Sequence, residues 1–319
     1  MIAHRITDNF TSNEPEVGEV FSMLRERRVE GGVYIGVGPE QNFSYIAAIR
    51  PSMAFVIDIR RQAVIQHLMY KAVFELASDR ADFISILFSK ARPAGLDTTT
   101  PIQKVWDAYA LVATSPEAVT RNRTRVLDRL LTTHRFTLTD DEREQFDEVF
   151  QAFVNYGPGI STRGSAGGNR GVGNTTTFVD LTGWALDAKG QPQSFLSTEE
   201  HFKTVKALHE KNLIVPVSGD FGGPKALRAI GAYVRAQRGT VSAYYLSNVE
   251  QYLFQDGKQR EFYDNVATLP TTPESVFIRP YSLRRGTPVP QPLCPIGRFV
   301  QSFKQGRVFS NTQALACTE

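Results

Sequence analysis

Apolar and polar positions alternate along the first quarter of the chain with two different periods, which predicts helices and strands in turn. Residues 16–28, EVGEVFSMLRERR, place apolar side chains at helical intervals, so we expect an amphipathic helix. The next segment, GVYIGVG, is short, β-branched and aromatic between glycines, which is typical of a buried strand. A helical pattern over 42–49 ends before Pro51, MAFVIDI predicts a second buried strand, and 62–77 predicts another helix. Strands alternating with helices indicate a parallel sheet, because parallel neighbours need a crossover.

The same alternation resumes near residue 198. Helical periods occur in EEHFKTVKALHEKN, GPKALRAIGAYVRAQ and REFYDNVATL, and strand patterns occur in LIVPVSGDF, TVSAYYLSN and SVFIRPY. Pro216 lies inside the third strand and cannot donate a hydrogen bond to a neighbour, so this strand belongs at an edge of the sheet. We therefore predict an α/β fold with a Rossmann-like, mostly parallel sheet that is flanked by helices.

The order of predicted helices, strands and loops divides the chain into four parts. Residues 1–77 form the first half of a Rossmann-like domain with its N-terminal helix, and 198–282 form the second half. Residues 78–197, between strands 2 and 3, are too long for a loop and read as a mainly helical insertion, whose segment YGPGISTRGSAGGNRGVGNTTT we expect to be a mobile surface loop. Residues 283–319 form a proline-rich tail in which no sixth or seventh strand is visible.

Composition narrows the functional classes. With 319 residues, of which 41% are hydrophobic, the chain can bury a large core. Its 36 Lys and Arg residues are scattered among 33 Asp and Glu residues, so a nucleic-acid surface is not indicated. Residues 1–15 lack a cationic start and an apolar stretch, and no apolar run is long enough to span a membrane, so we expect a soluble cytoplasmic protein. The chain has two cysteines, Cys294 and Cys317, both near its C-terminal end. Two cysteines are not enough for a disulfide framework or a zinc site, so we expect two free thiols.

The turn after the first strand carries the candidate chemistry. Gly36 and Gly38 let the backbone approach a ligand, and Asp58 lies 20 residues beyond Gly38, where an acid accepts hydrogen bonds from the ribose of an adenosine cofactor. The dinucleotide fingerprint needs a further glycine at Gln41, and the carboxylate of Glu40 would repel a pyrophosphate. S-adenosylmethionine has no phosphate and carries an ammonium and a sulfonium, so the sequence favours it over a dinucleotide. The alternative is that both glycines only turn the chain.

Four segments in order, VYIGVGPEQ, FVIDIRR, VPVSGDF and YYLSNVEQYL, resemble the first four strand ends of class I S-adenosylmethionine-dependent methyltransferases. GVGPEQNFSYIAAIRP and YLSNVEQYLF also resemble an uncharacterised bacterial family of about this length. The resemblance implies strand order 3-2-1-4-5, with ligands bound where the order reverses. It assigns the methionine moiety to Gly36 and Gly38, the ribose to Asp58, the adenine to Asp220 with Phe221, and the reaction-side wall to Ser247 with Asn248. On the charge argument above, Glu40 would lie beside the methionine end.

Methyl transfer requires aligned donor and acceptor and, for some acceptors, a base. Glu250 follows the fourth strand and is the candidate base beside Asn248, although an acid in the first turn of a helix has a structural explanation too. Three hypotheses stay open. The first is a methyltransferase of unknown acceptor with the insertion as a lid; the second is a nicotinamide oxidoreductase with Arg60 and Arg61 as phosphate partners; the third is a non-catalytic binding module.

Overall fold

The computed structural model describes residues 9–14, 18–162, 176–280 and 292–318. Residues 163–175 of the predicted glycine-rich loop lie outside the described residues. The strands are β1 (Val33–Val37), β2 (Met53–Asp58), β3 (Ile214–Ser218), β4 (Val241–Tyr245), β5 (Thr271–Ile278) and β6 (Leu293–Pro295). The helices are α1 (Gly18–Glu26), α2 (Gln41–Ile49), α3 (Arg61–Leu76), α4 (Arg80–Phe88), α5 (Ile102–Ala110), α6 (Pro116–Asp128), α7 (Asp140–Tyr156), α8 (Phe178–Gly183), α9 (Glu199–Glu210), α10 (Ala226–Ala236), α11 (Val249–Gln255), α12 (Gln259–Val266), α13 (Ile296–Lys304) and α14 (Asn311–Leu315).

The strands form one sheet of order β3-β2-β1-β4-β5-β6. The first five strands are parallel and follow the predicted order, and β6 adds an antiparallel sixth strand next to β5. Pro216 lies opposite Val56 in β3, which pairs only with β2, so the prediction of an edge strand is confirmed. The chain leaves β1 towards β2 and later returns to β4 on the other side, which places a switch point between β1 and β4.

The sheet separates two apolar cores, because consecutive side chains of a strand point to opposite faces. Tyr34 of β1 packs into the core that contains α1 to α9, whereas Val33 and Ile35 pack into the core that contains α10 to α14. All five residues of β1 are buried, as the continuous apolar run predicts for a central parallel strand.

The helices α4 to α8 between β2 and β3 extend the first core instead of forming a separate one. Phe83, Phe88 and Phe153 from these helices belong to the same apolar cluster as Ala54 and Val56 of β2. Helix α3 is the central contact, since α4, α6, α7 and α9 all pack against it. The inserted helices therefore cover the outer side of α3 and hold it against the sheet.

The C-terminal part differs from the prediction in two ways. Residues expected to form an unassigned tail make β6 and two helices, and α13 packs against β5. Cys294 and Cys317 form a disulfide with a Cα–Cα distance of 5.6 Å, so the expectation of free thiols is wrong. The sequence could not reveal this pair, because Cys294 lies in a strand whose pairing with β5 depends on tertiary structure and Cys317 follows α14.

We expect the disulfide to stabilise the fold by closing a loop across a separation of 23 residues. Constraining an unfolded loop of this length contributes about 3 kcal/mol. Urea unfolding with and without a reductant measures the effect. The reductant should lower the midpoint of the wild-type protein and leave that of Cys317→Ser unchanged. An unchanged wild-type midpoint would show that the bond does not form in solution.

Candidate functional site

The turn after β1 is shaped by the side chain of Asn42. Its Nδ2 lies 2.9 Å from the carbonyl oxygen of Val37, 3.0 Å from that of Gly38 and 2.7 Å from that of Pro39. Its Oδ1 accepts a hydrogen bond of 2.9 Å from the hydroxyl of Tyr34. Asn42 is fully buried in the first turn of α2, so one side chain sets the path of the backbone between strand and helix.

The two glycines of the turn have different physical roles. A Cβ at residue 36 would overlap Oδ1 of Asn42 and the ring of Tyr34, so Gly36 makes room for protein atoms. Gly38 has φ of +74°, which favours glycine, and apart from its two chain neighbours no atom of the described residues lies within 4 Å of the place that a Cβ would take. Of the two glycines predicted to hold a ligand, only Gly38 borders open space.

Glu40 points into the protein and not to solvent. The backbone N–H of Ser12 lies 3.0 Å from Oε1 and 3.3 Å from Oε2 of this carboxyl group. Burial raises the pKa of Glu40 to about 8, although hydrogen bonds from its own N–H and from that of Ser12 act in the opposite direction. The predicted acidic turn is therefore present, and its acid binds a segment of the chain that precedes α1.

This segment, residues 9–14, contacts the turn after β1 through Ser12, and we call it the cover segment. Phe10, Thr11, Ser12 and Glu14 are buried. Gln66 Nε2 donates a hydrogen bond to the carbonyl oxygen of Phe10 at 2.6 Å. The hydroxyl of Thr162 donates one to the carbonyl oxygen of Thr11 at 3.0 Å. The cover segment is thus held by side chains of α3 and of a loop as well as by Glu40. Nothing in its amino-acid pattern predicts this position.

A second buried acid, Glu14, comes from the cover segment and lies at the end of β4. Burial raises the pKa of Glu14, and the hydroxyls of Ser247 and Tyr245 lower it by hydrogen bonding to the carboxyl group. The ring of Tyr245 packs against that of Tyr45 with centroids 4.8 Å apart. Ser247, predicted as a wall of the site, has φ of +47° and brings its hydroxyl to this acid.

Several buried polar atoms around the turn have no hydrogen-bond partner among the described residues. His67 contacts the carbonyl of Gly38 through Nε2 at 2.9 Å, and burial lowers its pKa, so its unpartnered Nδ1 belongs to a neutral ring. Buried polar atoms in proteins nearly always have a partner in the protein, in water or in a ligand. The unpartnered atoms of this group are Thr11 Oγ1, Glu14 Oε1, Gln41 Nε2, His67 Nδ1 and Tyr70 Oη.

Asp58 lies next to the turn, because Ile57 is opposite Val37 in the neighbouring strand. Its carboxylate accepts hydrogen bonds from the backbone and Nε of Arg60 on Oδ1, at 2.9 and 3.0 Å, and from Nη2 on Oδ2, at 2.8 Å. Arg61 donates to Glu142 at 2.6 Å. Both arginines proposed as phosphate partners of a nicotinamide cofactor therefore bind carboxylates of the chain itself.

The residues after β3, which were predicted to bind the adenine, are poorly placed for it. Asp220 has a half-exposed side chain and pairs with Lys258 at 3.3 Å. Phe221 packs in the core on the α10 face of the sheet, and its carbonyl accepts from Asn265. The structure therefore places Gly38 and Glu40 after β1, Asp58 at the end of the neighbouring β2 and Ser247 after β4, and the ring of Phe221 is buried in the core.

Glu250 forms a buried ion pair. Arg279 donates to both of its carboxylate oxygens, at 2.7 and 2.8 Å, and the hydroxyl of Tyr263 donates to Oε1 at 2.5 Å. The guanidinium of Arg279 lies over the rings of Phe277 and Phe299 and is fully buried. This geometry argues against Glu250 as a base, because it faces the second core. Asn248 precedes α11 and makes no capping hydrogen bond.

Two other features are absent from the described parts of the chain. No group of three or more His, Cys, Asp or Glu side chains there could hold a metal ion. In those same parts, no helix has the length and apolar character needed to cross a bilayer.

A mostly parallel α/β sheet with a polar crevice at its switch point defines a Rossmann-like class of fold. The chain belongs to the family described as Domain of unknown function (DUF7790), which matches residues 9–146 and 181–313. No curated protein matches the chain. The family agrees with the expected uncharacterised one, and its description carries no information on methyl transfer.

We expect Glu250→Gln to destabilise the protein strongly, because it leaves the buried guanidinium of Arg279 without a counter-charge. The expected loss is about 3–5 kcal/mol in the free energy of unfolding, measured with urea. Asp220→Asn is the matched control: it removes one charge from a half-exposed pair and should cost less than about 1 kcal/mol. Equal losses in the two variants would contradict the structural role of Glu250.

The pKa of Glu40 predicts a pH dependence of stability. The folded protein keeps the proton up to a pH of about 8, whereas the unfolded chain releases it near 4.5, so the free energy of unfolding should fall as the pH rises between these values. The effect is on the order of 5 kcal/mol over the whole range, since each pKa unit corresponds to about 1.4 kcal/mol. Urea unfolding of Glu40→Gln from pH 5 to 9 should give a flatter profile than wild type, and the exposed control Glu274→Gln should not. Parallel profiles for all three proteins would refute the assignment.

Proposed function

We propose that the chain binds S-adenosylmethionine, or its product S-adenosylhomocysteine, in the crevice between β1 and β4. The observation that carries this proposal is the pair of buried acids, Glu14 and Glu40, beside open space at Gly38. None of the ion pairs among the described residues involves either acid. Buried acids are costly unless a positive charge or several hydrogen bonds compensate them.

The charge of the crevice supports an adenosyl cation over a dinucleotide. Burial keeps Glu40 protonated up to a pH of about 8. A cationic ligand would favour its ionised form, whereas a pyrophosphate would oppose ionisation in a site too buried for water to screen the repulsion. S-adenosylmethionine brings an ammonium and a sulfonium instead. Its reactive contribution is a methyl group on a positively charged sulfur.

The other predicted site residues match some of the remaining groups of the ligand. Gly38 gives access to the turn, and Asp58 is held by Arg60 in one orientation beside it. Oδ2 of Asp58 accepts one hydrogen bond from Nη2 of Arg60, and its other lone pair can accept a ribose hydroxyl as well. Ser247 and Asn248 lie on the β4 side, where the acceptor would approach. These contacts are compatible with the proposed ligand, and the adenine contact of Phe221 is not part of the proposal.

A second candidate is binding without methyl transfer. The engagement of Glu250 by Arg279 and Tyr263 favours it, because it removes the only base that the sequence offers next to β4. In that case the chain would be a Rossmann-like binding module for the same ligand. Both candidates share the crevice and differ only in whether a methyl acceptor is used.

Binding is tested by a thermal-shift series with S-adenosylmethionine, S-adenosylhomocysteine and NADP. At a ligand concentration 100 times the dissociation constant, we expect the first two to stabilise the protein by about 2.7 kcal/mol. Asp58→Asn should abolish the shift. The control is Asp147→Asn, since Asp147 also binds one arginine, Arg123, through two hydrogen bonds of 2.6 and 2.7 Å but lies on α7.

A shift that survives in Asp58→Asn would remove Asp58 from the site. A shift with NADP alone would replace the proposal by an oxidoreductase.

A further inference from the structure

We infer that Glu14 is a binding residue for the positively charged methionine end of the ligand, so that the cover segment forms one wall of the site. This inference rests on the proposed function and deepens it. The inference assigns a role to Glu14, which lies neither at the end of a strand nor in the glycine turn. The chemical group it would bind is an alkylammonium or a sulfonium.

The position of Glu14 supports this role. Ser12 is anchored to Glu40 at the end of β1, and two residues later Glu14 reaches the hydroxyls of Ser247 and Tyr245 at the end of β4. The carboxyl group of Glu14 therefore bridges the switch point between the two strands. Ligands of open parallel sheets bind at this point, so a ligand in the crevice would meet Glu14 directly.

Among the described residues, no ion pair would compensate a charge on Glu14. The side chains that act on it electrostatically within the described residues are Tyr34, Tyr45, Tyr245 and Ser247, all of them neutral hydroxyl groups. Its Oε1 is buried and has no hydrogen-bond partner among the described residues. A cationic donor from a ligand would satisfy this oxygen and compensate the charge at the same time.

The hydrogen bonds of the cover segment also indicate how a ligand would enter the site. The cover segment is held by side-chain to backbone hydrogen bonds with Gln66, Thr162 and Glu40 and by backbone hydrogen bonds from Asn9 and Phe10 to the carbonyl of Thr162, and it belongs to no strand. A segment held in this way can leave the crevice without breaking the sheet. Ligand binding through Glu14 would then favour the seated position of the cover segment.

Three ligands with two, one and no cationic groups test the inference by isothermal titration calorimetry: S-adenosylmethionine, S-adenosylhomocysteine and 5′-methylthioadenosine. Glu14→Gln keeps the shape of the side chain and removes its charge. We expect it to weaken the two amino-acid-bearing ligands by roughly tenfold to a hundredfold, as for a lost charge-assisted hydrogen bond, and to leave methylthioadenosine unchanged. Glu19→Gln, an exposed acid on α1, is the control and should change none of them.

Equal affinities of Glu14→Gln and wild type for all three ligands, or an equal loss for all three, would overturn the inference while leaving the proposed function intact. Absence of binding to the wild-type protein would refute the proposed function and the inference together. If Glu14→Gln fails to fold, Glu14→Asp replaces it: the shorter carboxylate should give the same selective loss, and an unselective result overturns the inference.

Discussion

A hydrogen bond from the backbone of Ser12 to the buried carboxyl group of Glu40 joins the cover segment to the end of β1. The candidate site depends on it in two ways. It holds the carboxyl group of Glu40, which precedes α2, inside the protein, and it brings Glu14 to the hydroxyl of Ser247 after β4. The end of β1 is thus covered by residues 9–14 of the same chain.

The buried acids of this fold fall into two kinds, and the difference separates structure from candidate function. Glu250 has a guanidinium on both oxygens and a tyrosine hydroxyl, so its charge is compensated within the second core. Glu14 and Glu40 have hydroxyl and amide donors only, among the described residues. Burial without a counter-charge is expensive for stability and is typical of sites that meet a ligand. The crevice follows this pattern, and the neighbourhood of Glu250 does not.

The sequence predicted the part of the fold that depends on local pattern. Apolar runs predicted the central strands, and Pro216 predicted that β3 lies at an edge of the sheet. Both predictions follow from backbone chemistry within a few residues. It could not predict β6, the disulfide or the partner of Glu250, since each depends on segments brought together by the fold. The turn and Asp58 were visible as a motif, whereas Glu14 lies in an irregular stretch without periodicity.

The central claim is that a cationic adenosyl ligand lies between the glycine turn and the cover segment. A crystal structure of the protein grown with saturating S-adenosylhomocysteine tests it most directly. The account predicts density for the ligand next to Gly38, with its ammonium within hydrogen-bonding distance of Glu14 or Glu40 and a ribose hydroxyl at Asp58. Density for the ligand elsewhere on the chain, or a crevice filled only by ordered water at saturating ligand, would contradict it.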